Sequence, residues 1–232
     1  MKLAIMQPYF FPYIGYFQLV NAVDKFIFYD DVNYIKGGWI NRNYIIVNGN
    51  KKYITLNLRD ASSFRRINQI YVGDRNDKVL KTIKLSYSKA PYFNQTFPLV
   101  EDVFSSITSS SLISEIAAMS IIKVSNYLGL KTDFEFSSKH YDDCKELDRE
   151  KRLINICKRN NTDTYINAIG GKDLYEQNLF QANKMDLLFL KSNLTKYEQF
   201  SKIFEPGLSI IDVMMFNSKQ DLLTILGSYE LA

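Results

Sequence analysis

The chain of 232 residues is poor in the side chains that most often carry chemistry. It holds two cysteines and one histidine. Cys144 and Cys157 have no Cys or His neighbour at ligand spacing, which excludes a disulfide framework and a zinc site and predicts reduced thiols. His140 lies in the polar stretch Ser137–Cys144, where a surface loop is the expectation, and any His-dependent triad would hang on that one residue. No apolar run reaches membrane-spanning length, so no membrane insertion is expected. Lys2 is followed by four apolar residues and then Gln7 and Pro8, too short for the apolar core of a signal peptide, and a cytoplasmic location is expected. The net charge of +4 with signs mixed throughout falls short of the basic stripe of a nucleic-acid binder, and no nucleic-acid partner is expected.

What the chain does have is aromatic residues, 16 Tyr and 16 Phe. Six of them crowd into Gln7–Phe17, together with Pro8, Pro12 and Gly15. Two prolines would break any helix or central strand there, so the segment reads as a shaped loop.

Around that loop the elements alternate. Leu3–Met6 reads as a strand, Ile14–Val23 as a helix and Phe26–Tyr29 as a strand ending at Asp30-Asp31. Tyr44–Val47 and Tyr53–Leu58 flank Asn48-Gly49, a pair suited to a tight hairpin turn, so a hairpin insertion over about 44–60 is expected. Helical spacing over Asn76 to about Ser88 and over Leu112–Leu128, stopping at Gly129, marks a helical insertion over about 76–130. Thr132–Phe136 (strand), Glu146–Arg159 (helix), Asp163–Ile169 (strand), Lys172–Asn183 (helix) and Asp186–Leu190 (strand) restore the alternation. Gly207–Asn217 reads as a helix capped at Ser209, with Asp212 three positions on as a variant capping box. The order predicts a single α/β domain over residues 1–232 with a Rossmann-like three-layer open parallel sheet, interrupted by the hairpin and the helical segment.

In such a sheet, ligands bind beyond the carboxyl ends of the strands. Three loops belong there. In Gln7–Tyr13, stiffened by Pro8 and Pro12, Gln7, Tyr9 and Tyr13 are candidate ligand contacts, and Gly15 permits a close approach. The second runs from Asp30 to Asn43. Its paired carboxylates, Asp30 and Asp31, could serve as a general base, bind an amine or hold Mg2+, or could be turn and cap residues. They keep company with Lys36, Trp39, Asn41 and Arg42, a cation, a stacking ring, an amide and a fork suited to phosphate. The third, Thr164–Tyr175, contains Asn167, Gly170, Gly171, Lys172 and Tyr175. A Gly-Gly-Lys turn at a predicted helix start favours an anion, although such turns also occur with no ligand.

The stretches MQPYFFPYIGYFQLVNAVDKFIFYDDV (Met6–Val32), WINRN (Trp39–Asn43), TYINAIGG with Leu174-Tyr175, and GLSIIDVMMFN (Gly207–Asn217) resemble the WbqC-like family of bacterial cell-surface polysaccharide loci. The resemblance spans nearly the whole chain. It implies a cytoplasmic protein of O-antigen or capsule biosynthesis whose partner is a nucleotide-linked amino sugar, and a transferase that passes an acyl or aminoacyl group to the sugar amine, with an acyl-CoA as one donor. On this reading Asp30 or Asp31 takes the amine proton, Arg42, Lys172 and the N–H groups at Gly170 and Gly171 meet phosphates or an oxyanion, and Tyr9, Tyr13 or Trp39 stack on base or sugar. Two alternatives stay open: a carboxylate-activating or nucleotidylyl-transferring enzyme using ATP with Mg2+, and a non-catalytic nucleotide-sugar-binding partner. A homodimer also stays open. In architecture the first strand–turn–helix is also similar to nucleotidylyltransferase-like and pantothenate-synthetase-like folds. The His-x-Gly-His signature of those folds has no counterpart, since Tyr13 and Tyr16 stand where its histidines would, and this weighs against adenylyl transfer.

Overall fold

A computed structural model describes residues 1–232. The chain opens with β1 (Lys2–Met6), α1 (Ile14–Asn21) and β2 (Lys25–Phe28). It then leaves the main sheet for about a hundred residues. This excursion holds the hairpin β3 (Arg42–Val47) and β4 (Asn50–Thr55), the short pair β5 (Leu58–Arg59) and β6 (Tyr71–Val72), and the helices α2 (Asp77–Tyr87), α3 (Phe93–Ser105) and α4 (Ile113–Leu128). The chain returns with β7 (Asp133–Phe136), the one-turn α5 (Ser137–His140), α6 (Arg149–Arg159), β8 (Thr164–Ala168), α7 (Gln177–Ala182) and β9 (Asp186–Ser192). It ends with α8 (Ile210–Phe216), α9 (Lys219–Leu226) and β10 (Tyr229–Leu231).

Six strands form the central sheet in the order β10-β9-β8-β1-β2-β7, all parallel except β10, which pairs antiparallel with β9. The chain winds outward from β1 to β2 and β7, then starts again on the other side of β1 with β8 and β9. Strand order therefore reverses between β1 and β8, the position where open α/β sheets leave a crevice.

Alternation along the strands divides the core in two. Ala4, Phe26, Phe28, Ile166 and Leu190 face α1, α4 and α9 in one cluster of 42 buried residues. Leu3, Ile5, Ile27, Tyr165, Leu187 and Phe189 face α6 and α7 in a second cluster of 14. Strands buried on both faces read as continuous apolar runs, as these do, and the two helical layers make the fold a three-layer, Rossmann-like α/β structure.

At the hairpin, Asn48 (φ 51°) and Gly49 (φ 76°) are both left-handed, the requirement of a type I′ turn. Three details depart from the sequence reading. α3 contains Pro98 and has no counterpart among the expected helices; the fold tolerates the lost N–H because tertiary burial of Phe97, Val100, Val103 and Phe104 holds the helix. Residues Ile169–Leu174 form a 3-10 stretch, and the α-helix that follows begins only at Gln177. Asp212 does not close a capping box. The expected cap at Ser209 is present, its Oγ accepting the Ile211 N–H.

An aromatic cleft at the carboxyl edge of the sheet

The β1–α1 loop is held from four sides. The Phe10 N–H donates to the Trp39 carbonyl (3.2 Å), and the Phe11 N–H to Ser120 Oγ (3.0 Å). The Phe11 carbonyl accepts both Asn43 Nδ2 and Ser209 Oγ at 2.7 Å, and the Pro12 carbonyl accepts the Ile210 N–H at 2.8 Å. These bonds impose φ +40° on Phe11, a left-handed conformation uncommon for an aromatic residue. The loop thus splits its rings. Phe10 and Phe11 are fully buried, while Tyr9 and Tyr13 are turned to the surface side.

Those two tyrosines form one wall of a cleft of ≈230 Å³ lined by Tyr9, Pro12, Tyr13, Trp39, Asn43, Leu194 and Gly207. Gly15 makes the wall possible: a Cβ there would lie 2.4 Å from the Tyr13 ring and 2.9 Å from Ser192 Oγ. Below the loop, the Tyr16 hydroxyl donates to the Gln7 carbonyl at 2.9 Å and its ring lies 5.6 Å from that of Tyr9. Burial pushes the Tyr9 and Tyr13 hydroxyls above the ordinary phenol range, so both stay neutral donors at physiological pH. No charged side chain lines the cleft.

The opposite wall comes from the segment 36–43. Trp39 is 40% exposed and packs edge-on to Tyr44, which stacks on Tyr53 at 3.9 Å. Arg42 lies over the outer face of Tyr53 (4.2 Å) and donates to the carbonyls of Gly37 and Gly38, so its guanidinium braces the loop that carries Trp39. Asn41 is buried, accepting the Tyr34 hydroxyl (2.9 Å) and donating to the Leu56 carbonyl (2.8 Å). Lys36 is exposed, and Pro8 is buried within the loop. Asn43 escaped the sequence reading although it sits within the Trp-Ile-Asn-Arg-Asn stretch. The available signal was an amide on the core face of an alternating strand, a position that needs backbone partners.

Asp30 and Asp31 follow β2 at the same edge of the sheet, outside the cleft lining, and both are at least 96% buried. Asp30 accepts the Ser138 N–H (3.0 Å) and Ser138 Oγ (2.7 Å). Asp31 accepts Ser137 Oγ and Arg152 Nη2, each at 2.5 Å, in an ion pair whose side chains are 1% and 3% exposed. Burial raises the Asp30 carboxyl above its usual range, opposed by the serine hydrogen bonds. Burial works against the charge on Arg152, but the Asp31 bond and the neighbouring Tyr29 and Asp31 outweigh it and hold the guanidinium protonated. The guanidinium also lies 4.8 Å from the centre of the Tyr29 ring. In this arrangement the two carboxylates tie β2, α5 and α6 together.

The third loop follows β8. Asn167 is buried, its Oδ1 accepting the Ala168 N–H, and Gly171 packs against it so closely that a Cβ would sit 3.1 Å from Asn167 Nδ2. Tyr175 packs edge-on to Tyr165 and Phe180. Gly170 and Lys172 are exposed within the 3-10 stretch. Of the three loops expected to meet, the first and the later part of the second form the cleft. The third joins the Asp31 end of the second through the Tyr29 environment, where Arg152, Asp31 and Tyr175 converge. His140, at the end of α5, is exposed, and Cys144 and Cys157 are buried free thiols, burial pushing the Cys157 thiol up to about 12.

The remaining cleft wall, Leu194 and Gly207, belongs to residues 193–208, which have no helix or strand. Asp212 anchors this strap. It is fully buried, and its carboxylate accepts Tyr87 Oη (2.5 Å) and the strap's Tyr197 Oη (2.8 Å) with no cation in contact. Burial pushes its carboxyl up to about 6, against the hydrogen bonds from Tyr87 and Tyr197.

Fold and cleft define a class: a Rossmann-like α/β protein that closes an aromatic site over the first βα turn with a hairpin insertion and a C-terminal strap. The chain belongs to the WbqC-like protein family, whose model matches residues 7–223 and so takes in the cleft, the insertion and the strap. It is similar to the uncharacterized protein Rv1507c of Mycobacterium tuberculosis (strain ATCC 25618 / H37Rv), 25% identical over 226 residues that cover 93% of each chain. No solved structure matches. No helix is long and apolar enough to cross a membrane.

Proposed function

We propose that the chain binds a nucleotide-linked amino sugar with the aromatic cleft at its centre and transfers an acyl or aminoacyl group to the sugar amine in cell-surface polysaccharide assembly. The observation that carries the reading is the convergence of Tyr9, Tyr13 and Trp39, from two separate loops, on one cleft beyond β1. Ring faces suit the apolar faces of sugars and the π-faces of bases, with stacking worth roughly 1–3 kcal/mol per base. Asn43 is committed to the backbone of Phe11 and Tyr44, which leaves the Tyr9 and Tyr13 hydroxyls as the polar groups of the cleft, while Lys36 and Lys172, both exposed at the same sheet edge, are the cations offered to phosphates. Catalysis on this reading is chiefly by approximation, holding amine and activated carbonyl together.

The involvement of Asp31 with Arg152 and of Asp30 with Ser138 favours a second reading, a nucleotide-sugar-binding partner without turnover, because no lining residue is a ready base. The same contacts bear on the ATP-dependent alternative. A guanidinium 2.5 Å from Asp31 occupies the position a metal would need, so this carboxylate pair does not fit Mg2+ as it stands.

Trp39 is the chain's single tryptophan, so its fluorescence reports on the cleft directly. Saturable quenching or enhancement by amino-sugar nucleotides is expected, lost on Tyr9→Ala. Incubation with acyl-CoA, or with glycine and ATP, should then add the acyl mass to the sugar. Saturable binding with no mass change in any mixture would leave the binding-partner reading standing, and no fluorescence response to any amino-sugar nucleotide would refute both.

A further inference from the structure

Phe64 is 94% exposed and Ile35 is 53% exposed, and the two belong to one feature. Residues 32–34 run antiparallel to 65–67: Asn33 bridges Arg66, the Ile67 N–H donates to the Val32 carbonyl at 3.0 Å and the Tyr34 N–H to the Arg65 carbonyl at 2.9 Å. Tyr34 turns inward, buried and bonded to Asn41. Alternation sends its neighbour the other way. The pairing ends there, because the Arg65 N–H turns back to the Ser62 carbonyl (3.0 Å) and the Gly38 N–H to the Ile35 carbonyl (3.0 Å), so Ile35 and Phe64 each lie exposed in a turn next to the Tyr34–Arg65 bond, on one tip. Single exposed apolar residues are ordinary, whereas two large ones on the same tip, one of them 94% exposed, give a partner an apolar foothold.

Three cations and two carboxylates surround the tip, a net positive charge. Lys36 follows Ile35, and Arg65 and Arg66 follow Phe64. Arg65 is 4.0 Å from Asp60 and Arg66 is 3.6 Å from Glu146, long exposed contacts that hold either cation only weakly, and Lys36 has no acidic partner. We infer that the Ile35–Phe64 tip docks the protein reversibly on an anionic lipid surface, the apolar pair entering the interface and Lys36, Arg65 and Arg66 meeting the headgroups. An apolar wedge joined to a small cationic cluster is the two-signal combination that peripheral attachment uses, and it demands no matching shape from its partner. A second copy of the chain would have to supply acidic groups around an apolar recess to fit the same tip. Gly37 and Gly38 lead directly from Lys36 to Trp39, so docking brings the cleft mouth beside the lipid surface. The inference is independent of what the cleft binds.

Co-sedimentation of the full chain with phosphatidylcholine vesicles containing phosphatidylglycerol tests it. Binding is expected to the anionic vesicles at low salt and to weaken with added salt and with pure phosphatidylcholine. Phe64→Ser should lower partitioning about tenfold or more, in line with the loss of one buried aromatic side chain. With a side chain so exposed the variant should keep the wild-type melting temperature, which serves as the folding control. In the single-tryptophan variant Trp39→Phe/Phe64→Trp, fluorescence should shift to the blue on vesicle addition. Absence of binding to anionic vesicles at low salt, binding unaffected by Phe64→Ser, or concentration-dependent self-association abolished by Phe64→Ser would each overturn the proposal.

Discussion

Asp212 gives the sharpest physical prediction. Its carboxyl is fully buried, held between two tyrosine hydroxyls, and raised to about 6 from an ordinary value of 3.8. The native state therefore keeps this proton more tightly than the unfolded chain does. Stability contributed by the group is fully present below about pH 4 and is lost as pH rises through about 6. A shift of roughly two pKa units corresponds to about 3 kcal/mol, of which about 2–3 kcal/mol is spent between pH 4 and pH 7. Asp212→Asn removes the titration while keeping a side chain of the same shape. The amide must donate to one tyrosine oxygen, and Tyr197 has the free lone pairs, since Tyr87 Oη already accepts the Ile46 N–H. The variant's own cost or gain is thus a constant offset, and the test lies in how that offset changes with pH. At about 2–4 °C per kcal/mol for a chain of this size, the melting temperature of Asp212→Asn relative to wild type should rise by about 5–10 °C from pH 4 to pH 7. Differential scanning calorimetry at matched ionic strength measures it. Taking the difference cancels the opposing contributions of Glu135, Asp143 and Asp163, whose carboxyls are lowered by their hydrogen-bonded cationic partners. An offset that stays flat over this range would show that Asp212 is ionised in the folded protein as readily as in the unfolded one, and the account of the strap's anchor would fail.

The Asp31–Arg152 pair should behave as a buried ion pair: Asp31→Asn and Arg152→Met, each stranding a buried partner, should cost about 3–5 kcal/mol in urea unfolding, and a loss below 1 kcal/mol would mean that the pair opens to solvent. Gly15→Ala should leave chemical stability within about 1 kcal/mol, because alanine favours the helix while the Tyr13 ring can swing aside, yet it should abolish the Trp39 fluorescence response to ligand; retained binding would separate Tyr13 from the site. Lys172→Ala should weaken nucleotide-sugar binding roughly tenfold to hundredfold in calorimetry if the ammonium meets a phosphate, and an unchanged Kd would confine the site to the cleft.

Much of the fold was legible in local pattern. The apolar runs at β1, β2, β8 and β9 and their alternation with helices dictate a parallel sheet, because strands buried on both faces need helices to cover them. The Asn-Gly pair at 48–49 dictates the hairpin for an equally local reason, two consecutive left-handed residues. The proline-rich, aromatic loop announced a shaped segment after β1. Which rings it buries and which it shows was decided by distant residues, Ser120, Asn43 and Ser209, whose hydrogen bonds hold Phe11 at positive φ. Asp30-Asp31 read as a pair open to chemistry or to a turn, with Lys36 and Arg42 as the cations nearby in the chain; the partners it finds in the folded protein are Arg152 and Ser137, more than a hundred residues on. The extended Phe64–Ile35 tip and the uncompensated Asp212 are likewise invisible to periodicity, since exposure and charge pairing depend on what the rest of the chain places alongside. Sequence determined the elements through short-range backbone preference and hydrophobic period. Tertiary structure determined which polar groups are satisfied and which surfaces stay open, because those depend on long-range packing that no local window contains.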